Sequence, residues 1–293
     1  MLLAMDVGNT ETVIGLFGEA SAGGGDAMGF ARASDEHGLA YHWRLSTITE
    51  RTPDEHAMVL TQLLDLEGLD LRDAVSAIAI CSSVPTVSTQ LRRMANRWFA
   101  SLPITVLGPG TKSGMAILYD SPREVGADRI ANAVGAFDLY PGASVVVDLG
   151  TATTFDAISA RGEYLGGAIA PGLGISAEAL FSRAARLTRV DIRRPQKVIG
   201  SNTVETLQIG LYYGYLGLID GILERMLAEL GAETHVLATG GLAQQIAQDS
   251  RFITHVEDGL TLEGLRLIYE RNRDAQVRSA QPRTPKKSSV HEA

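Results

Sequence analysis

The sequence predicts an α/β fold built twice, as two similar domains with mixed sheets flanked by helices. Three observations carry that prediction. Short β-rich runs alternate with segments of helical period, the mixture from which sheets covered by helices are built. Two polar turns, Asp6 to Val13 and Asp148 to Phe155, repeat in nearly the same letters at a constant offset of 142 residues. That offset is about half of the chain expected to be ordered, the trace a duplication leaves. The chain has 293 residues, 45% of them hydrophobic and 20% charged, enough for one large or two medium globular domains.

In chain order, β-rich runs stand at 2–5, 12–17, 76–81, 104–107, 144–148, 153–158 and 236–239. Between the run at 12–17 and the alternating "AYHWRLS", where Tyr41, Trp43 and Leu45 share a face, lies the Gly-, Ala- and Ser-rich segment 18–38. It has no sustained period and reads as a long, mobile hairpin connection. Helical stripes follow: Val87, Leu91, Met94 and Trp98 after Pro85, then Ile130, Val134 and Phe137 after "GAD", then Leu207, Leu211, Leu218 and Ile222. Each stripe is expected to face a core. Tyr212, Tyr213 and Tyr215 stand among the last of them, in 203–230, and bring more aromatic surface than one core face needs. Aromatic residues are enriched at subunit interfaces, so they point weakly to a dimer. The tail 273–293 has five Lys or Arg, two Asp or Glu, two prolines and few large apolar residues, and is expected to be disordered.

Composition narrows the function. A net charge of −8, from 34 acidic and 26 basic residues, offers nothing for a generic nucleic-acid or anionic-membrane surface. The single cysteine, Cys81, excludes an intrachain disulfide and sits in the apolar run "VSAIAICSSV", where a buried, inert thiol is expected. "MLLAM" meets Asp6 before an apolar signal segment develops, and no run of about 18 apolar residues follows. The expectation is a soluble, cytoplasmic protein acting on small molecules.

The paired turns have a specific chemistry. A glycine lets backbone N–H groups approach phosphate oxygens, and the neighbouring Asn9, Thr10, Thr151 and Thr153 add donors around an anion. A carboxylate beside phosphates repels them unless a cation intervenes, so Asp6 and Asp148 make sense as partners of Mg²⁺ or a monovalent ion. Hairpin turns that merely cap strand ends use the same residue types. Downstream, "HVLATGGLAQQ" sets Gly240 and Gly241 between an apolar strand and a helical start, where a flat ligand or a phosphate can pass close to the backbone. A Gly-Gly pair at such a junction also serves geometry alone.

The order of these three elements resembles the duplicated ribonuclease-H-like fold of acetate and sugar kinases, hexokinase, actin and Hsp70. Five motifs narrow it: "DVGNT" at the N-terminus, "GADR" at 126–129, "DLGTATTFD" at 148–156, "YLGGAIAPGL" at 164–173 and "SNTVETLQIG" at 201–210. In order and spacing they resemble type III pantothenate kinase, over about residues 1–270. The connection at 18–38 is longer than the family's, and Glu11 stands where an asparagine often follows "GNT". The resemblance implies ATP-dependent phosphorylation of the primary hydroxyl of pantothenate, with Mg²⁺, in a homodimer activated by K⁺ or NH₄⁺. It implies an N-terminal domain over 1–120, a C-terminal domain over 121–272 and a nucleotide cleft between them. Asp6, Val7, Gly8, Asn9, Thr10, Glu11, Thr12, Val13 and Thr151 would contact ATP phosphates, and Gly240 and Gly241 the adenosine. Asp148 would bind the monovalent cation, and Asp6 stands as the Mg²⁺-linked acid. Tyr119, Gly126, Ala127, Asp128, Arg129 and Thr203 would line the pantothenate site, with Asp128 the catalytic base.

These roles agree with the chemistry. Pantothenate is anionic and rich in amides, so its site wants a cation such as Arg129, donors such as Tyr119 and Thr203, and apolar walls. Phosphoryl transfer asks the protein mainly to position groups and neutralise charge, leaving Asp128 to orient the hydroxyl and take its proton late. Three other readings stay open. Another small-molecule kinase of the superfamily would share the turns but lack "GADR" and "SNTVE". A regulatory accessory factor could keep the fold without catalysis, although the acidic balance and intact Asp6, Asp128 and Asp148 favour an enzyme. A filament-forming protein would reveal itself by ATP-dependent sedimentation.

Overall fold

A computed structural model describes residues 1–18, 38–108, 110–184 and 187–280. The connection read at 18–38 therefore falls, from 19 to 37, outside the described residues, as does the tail beyond 280. The first sheet comprises β1 (Leu2–Val7), β2 (Glu11–Phe17) and β3 (Leu39–Ser46). After α1 (Pro53–Leu66) and α2 (Leu71–Ala74) come β4 (Ala77–Ser82), α3 (Pro85–Trp98) and β5 (Ile104–Val106). Its order is β3-β2-β1-β4-β5, antiparallel on the β2 side and parallel on the β4 side. The second half adds β6 (Ala116–Ile117), α4 (Ala127–Leu139), β7 (Ser144–Leu149), β8 (Ala152–Ile158), β9 (Glu163–Pro171) and α5 (Leu173–Arg183). It ends with α6 (Thr203–Leu230), β10 (His235–Thr239), α7 (Ala243–Ala247), β11 (His255–Val256) and α8 (Leu260–Ala280).

The second sheet runs β11-β10-β7-β8-β9-β6, and apart from the added β6 its pairings repeat those of the first. Strands β1 and β7 even share one burial pattern, buried throughout except at the acid. The duplication is real, but its offset is not constant. Asp6 pairs with Val13, whereas Asp148 pairs with Thr154. The second turn is one residue shorter, so β2 and β8 correspond at 141 residues (154 minus 13) rather than 142.

Successive strand residues point to opposite faces, so each strand feeds two cores. Leu3, Met5 and Val7 of β1 pack with α1 and α3 in one cluster, and Leu2 and Ala4 pack with Ala131, Val134, Leu262, Leu265 and Ile268 of α4 and α8 in another. Val146, Ile158 and Leu237 of the second sheet meet the other side of α4 at Ala133 and Ala136. Helices α4 and α8 thus form a layer between the two sheets. They approach closely because glycine faces backbone there: a Cβ on Gly264 would stand 1.8 Å from the Ala131 carbonyl oxygen, and one on Gly135 2.9 Å from that of Leu260. Helix α1 starts at a capping box in which Thr52 and Glu55 satisfy each other's backbone N–H, with Pro53 at its first position.

Three expectations change. Trp98 is not core: it is 45% exposed and its indole N–H donates to Asp54 at 2.8 Å. In α6 the most buried face carries Leu207, Tyr212, Tyr215, Ile219 and Leu223, with Leu211, Leu218 and Ile222 on its flank. Tyr212 and Tyr215 therefore complete this chain's own core, which removes the sequence argument for a subunit interface there. Helix α8 continues to Ala280, past Arg273, where disorder was expected to begin.

Candidate active site

Each acid-glycine turn is a tight hairpin at the end of a buried strand. Gly8 N–H donates to the Glu11 carbonyl at 2.9 Å and Gly150 N–H to that of Ala152 at 3.1 Å. A Cβ on Gly8 would lie 3.0 Å from the Glu11 carbonyl oxygen, so a side chain would crowd the first turn. The Thr47 hydroxyl donates to the Gly8 carbonyl at 2.8 Å and fixes that turn to the following strand. Across the lobes, the hydroxyls of Thr10 and Thr151 meet at 2.7 Å. The two turns thus touch at the floor of one cleft of about 550 Å³.

Both turns and both lobes line this cleft. Asp6, Gly8, Asn9, Thr10, Glu11 and Val13 come from the first, and Asp148, Thr151, Gly240 and Gly241 from the second. Asp128 enters from α4, the layer between them. Val7 and Thr12 belong to the first turn only through their backbones. Val7 packs in the core, and the Thr12 hydroxyl sits 2.8 Å from that of Thr47. Gly240 adopts φ +90, and a Cβ there would stand 2.7 Å from Asp148 Oδ1, so glycine is required twice over.

Three of the cleft's carboxylates, Asp6, Asp128 and Asp148, raise an electrostatic problem. Burial first, then the charges of Asp128 and Asp148, pushes the Asp6 carboxyl up to about 8, partly offset by the Cys81 thiol hydrogen-bonded to it. Cys81 is indeed buried, and burial together with the Asp6 charge holds it as the neutral thiol. Burial likewise raises Asp148 to about 6, against a hydrogen bond from Asn132 and with repulsion from Asp128 and Asp156. Asn132, fully buried, donates to Asp148 Oδ2 at 3.1 Å and accepts from the Thr261 hydroxyl at 2.6 Å. Among the described residues, no group of three or more His, Cys, Asp or Glu is arranged to hold a metal by itself.

Beside Asp128 lies a second cluster. Arg129 donates through Nε to Asp156 Oδ1 at 2.7 Å, Tyr164 donates to the same oxygen at 2.7 Å, and Thr154 to Asp156 Oδ2 at 3.1 Å. Burial disfavours the charged guanidinium, but Asp156 and Tyr164 outweigh it and raise the Arg129 pKa. Arg129 is thus a cation already paired with Asp156. Tyr119 packs edge-on against Tyr164, ring centroids 6.4 Å apart. Gly126 caps α4 where a Cβ would meet Asp128 Oδ1 at 2.4 Å, and the Asp128 carboxylate accepts from the Arg129 N–H at 2.9 Å. Ala127 packs into the core beneath. Thr203 stands at the exposed start of α6, outside the cleft. Sequence reasoning missed Asn132 and Asp156, although each is a polar residue inside an apolar run, the one signal that marks a buried partner.

A family model for type III pantothenate kinase matches residues 2–225. The chain is 52% identical over 272 residues to a type III pantothenate kinase of Koribacter versatilis, covering 93% of this chain and 96% of that one. Among solved structures it is similar to the ADPNP-bound activator of the 2-hydroxyisocaproyl-CoA dehydratase from Clostridium difficile, with a TM-score of 0.52, 12% identity and 97% and 99% of the two chains covered. It is similar also to a Campylobacter jejuni protein assigned to the Baf family of transcriptional activators, with a TM-score of 0.53, 19% identity and coverage of 93% and 99%. Those two likenesses show the fold alone. A family model over residues 2–225, with identity near one half along almost the whole chain, places the chain in the type III pantothenate kinase family.

Proposed function

We propose that this chain transfers the γ-phosphoryl group of ATP to the primary hydroxyl of pantothenate, the first step toward coenzyme A, with Asp128 as the base. The observation that carries this assignment is the convergence of Asp6, Asp128 and Asp148, from two lobes and the layer between them, on one cleft floored by both glycine turns. The turns offer backbone N–H groups and the hydroxyls of Thr10 and Thr151 to phosphate oxygens. Gly240 and Gly241 leave room for the adenosine. Asp128 faces the same cleft from the start of α4. It orients the hydroxyl and accepts its proton as the bond to phosphorus forms.

Pantothenate enters beside Asp128, against Tyr119 and Arg129. Asp156 holds Arg129 by Nε, and the other donors of the guanidinium fork serve the substrate carboxylate. Burial, with acidic neighbours adding to it, holds Asp6 and Asp148 above the ordinary carboxylate range, a cost that cations would relieve, so these two acids suit Mg²⁺ and a monovalent ion respectively. Bound there, such ions would neutralise phosphate charge. The active form is a homodimer, supported by Leu165 and Ile169 on β9, large apolar side chains that stay exposed among the described residues.

A coupled assay of ADP release, with pantothenate as acceptor and glucose and acetate as controls, tests the assignment. Turnover with pantothenate alone is expected. Turnover with glucose or acetate, or with none of the three, contradicts it.

A further inference from the structure

Charge in the cleft is lopsided. Its lining holds five acids, Asp6, Glu11, Asp128, Asp148 and Asp258, and a single basic side chain among the described residues, Arg44. Arg44 is on β3, paired in register with Val13 of the first turn. Its Nη1 meets Glu11 Oε2 at 2.9 Å, and both side chains are largely open to solvent, 41% and 50% exposed. The same Nη1 lies 3.6 Å from where a Cβ on Gly241 would be. The guanidinium thus reaches from the first sheet to the Gly-Gly turn of the second, across the mouth of the cleft.

An exposed ion pair of this kind contributes little to the fold and is easily exchanged. A nucleotide polyphosphate brings several negative charges and presents geometry that a guanidinium fork matches in two places at once. We propose that Arg44 is a phosphate-recognition residue: it leaves Glu11 for the polyphosphate of the entering nucleotide and ties the two lobes over it. Glu11 is then a placeholder. In the free protein it holds Arg44 at the cleft mouth, and it competes with the nucleotide for the same guanidinium. The inference rests on the cleft being the ATP site, and Arg44 extends that site beyond the glycine turns.

The two partners of the pair give opposite results if this is right. Calorimetric titration of the full chain with ADPNP, and with adenosine by competition, is run on wild type, Arg44→Gln, Arg44→Lys and Glu11→Gln, with thermal melting as the control for folding. Arg44→Gln is expected to weaken ADPNP about tenfold or more while leaving adenosine unchanged, since a charge-assisted contact to phosphate is lost. Arg44→Lys keeps the charge but loses the fork and recovers only part of the affinity, and Glu11→Gln tightens ADPNP by freeing the arginine. A purely structural ion pair treats Arg44→Gln and Glu11→Gln alike, so equal losses in both overturn the proposal. So does ADPNP binding by Arg44→Gln within threefold of wild type, or an equal loss for adenosine, which would place Arg44 on the base instead. Should Arg44→Gln not fold, the sign of the Glu11→Gln effect decides. Wild type that fails to bind ADPNP overturns the cleft assignment itself, and this proposal with it.

Discussion

Asp148 shows how a single carboxylate can be both costly and useful. Burial and its acidic neighbours raise it to about 6, while one amide donor, Asn132, holds its orientation. A nearby monovalent cation would relieve the same strain. In Mg²⁺ with only Na⁺ present, ADP release should be slow and should rise with K⁺ or NH₄⁺, and Asp148→Asn should flatten that response. Equal rates in all three salts contradict this. His56 poses the opposite problem in the first core. Burial, with the charge of Arg51 adding to it, lowers its pKa from 6.5 to about 4, and its Nε2 has no hydrogen-bond partner. The fold therefore favours the neutral ring: its stability is fully present above about 6.5 and lost as pH falls through about 4. Replacing it by phenylalanine removes that titration. The melting temperature of His56→Phe, relative to wild type, should climb as pH is lowered through this window, and a pH-independent difference would argue against it.

Helices α4 and α8 are where the elements decide the site, since their contact sets Asp128 between the lobes. The contact depends on Gly264, which cannot grow a Cβ without meeting the Ala131 carbonyl oxygen at 1.8 Å. Gly264→Ala gains about 1 kcal/mol of helix propensity, yet overpacking of this severity costs roughly 1–3 kcal/mol or more. The net effect should be destabilising, seen as a lower urea midpoint, and a stabilised variant would refute the close packing. These helices also show what the sequence conceals. Most strands were readable because β-rich runs such as 144–148 are continuous and short, but β9, with Gly166 and Gly167 in its middle, and the two-residue β6 and β11 were not. The face of α6 was not, because apolar residues cover a broad arc of that helix and period alone could not choose between Leu218 and Ile219. Trp98 was misplaced for a related reason: a large ring ends an apolar stripe, but its N–H finds Asp54 at the surface instead.

At the scale of the molecule, duplication explains the site. Two copies of one strand-turn-strand unit, related by a shared layer of helices, bring Asp6 and Asp148 to a common cleft and leave Asp128 between them. The parts built from local turn chemistry could be read in the letters "DVGNT" and "DLGTA". The parts made by tertiary contact could not: Asn132 reaches Asp148, Arg129 reaches Asp156, and Thr10 meets Thr151 at a separation of 141 residues. Assembly is a further property of the whole chain. Light scattering at micromolar concentration should give a mass twice that of one chain, and Ile169→Asp, which charges the open face of β9, should shift it toward one; a strictly monomeric wild type would refute the dimer. The account as a whole turns on Asp128. Its asparagine variant keeps the size of the side chain and removes the charge proposed to take the proton, leaving both glycine turns intact. Steady-state turnover of Asp128→Asn, measured beside its ADPNP affinity, should show kcat down by roughly 10²–10⁴-fold with nucleotide binding preserved. Turnover within about threefold of wild type would contradict the role of Asp128 and return it to an acid that only begins a helix.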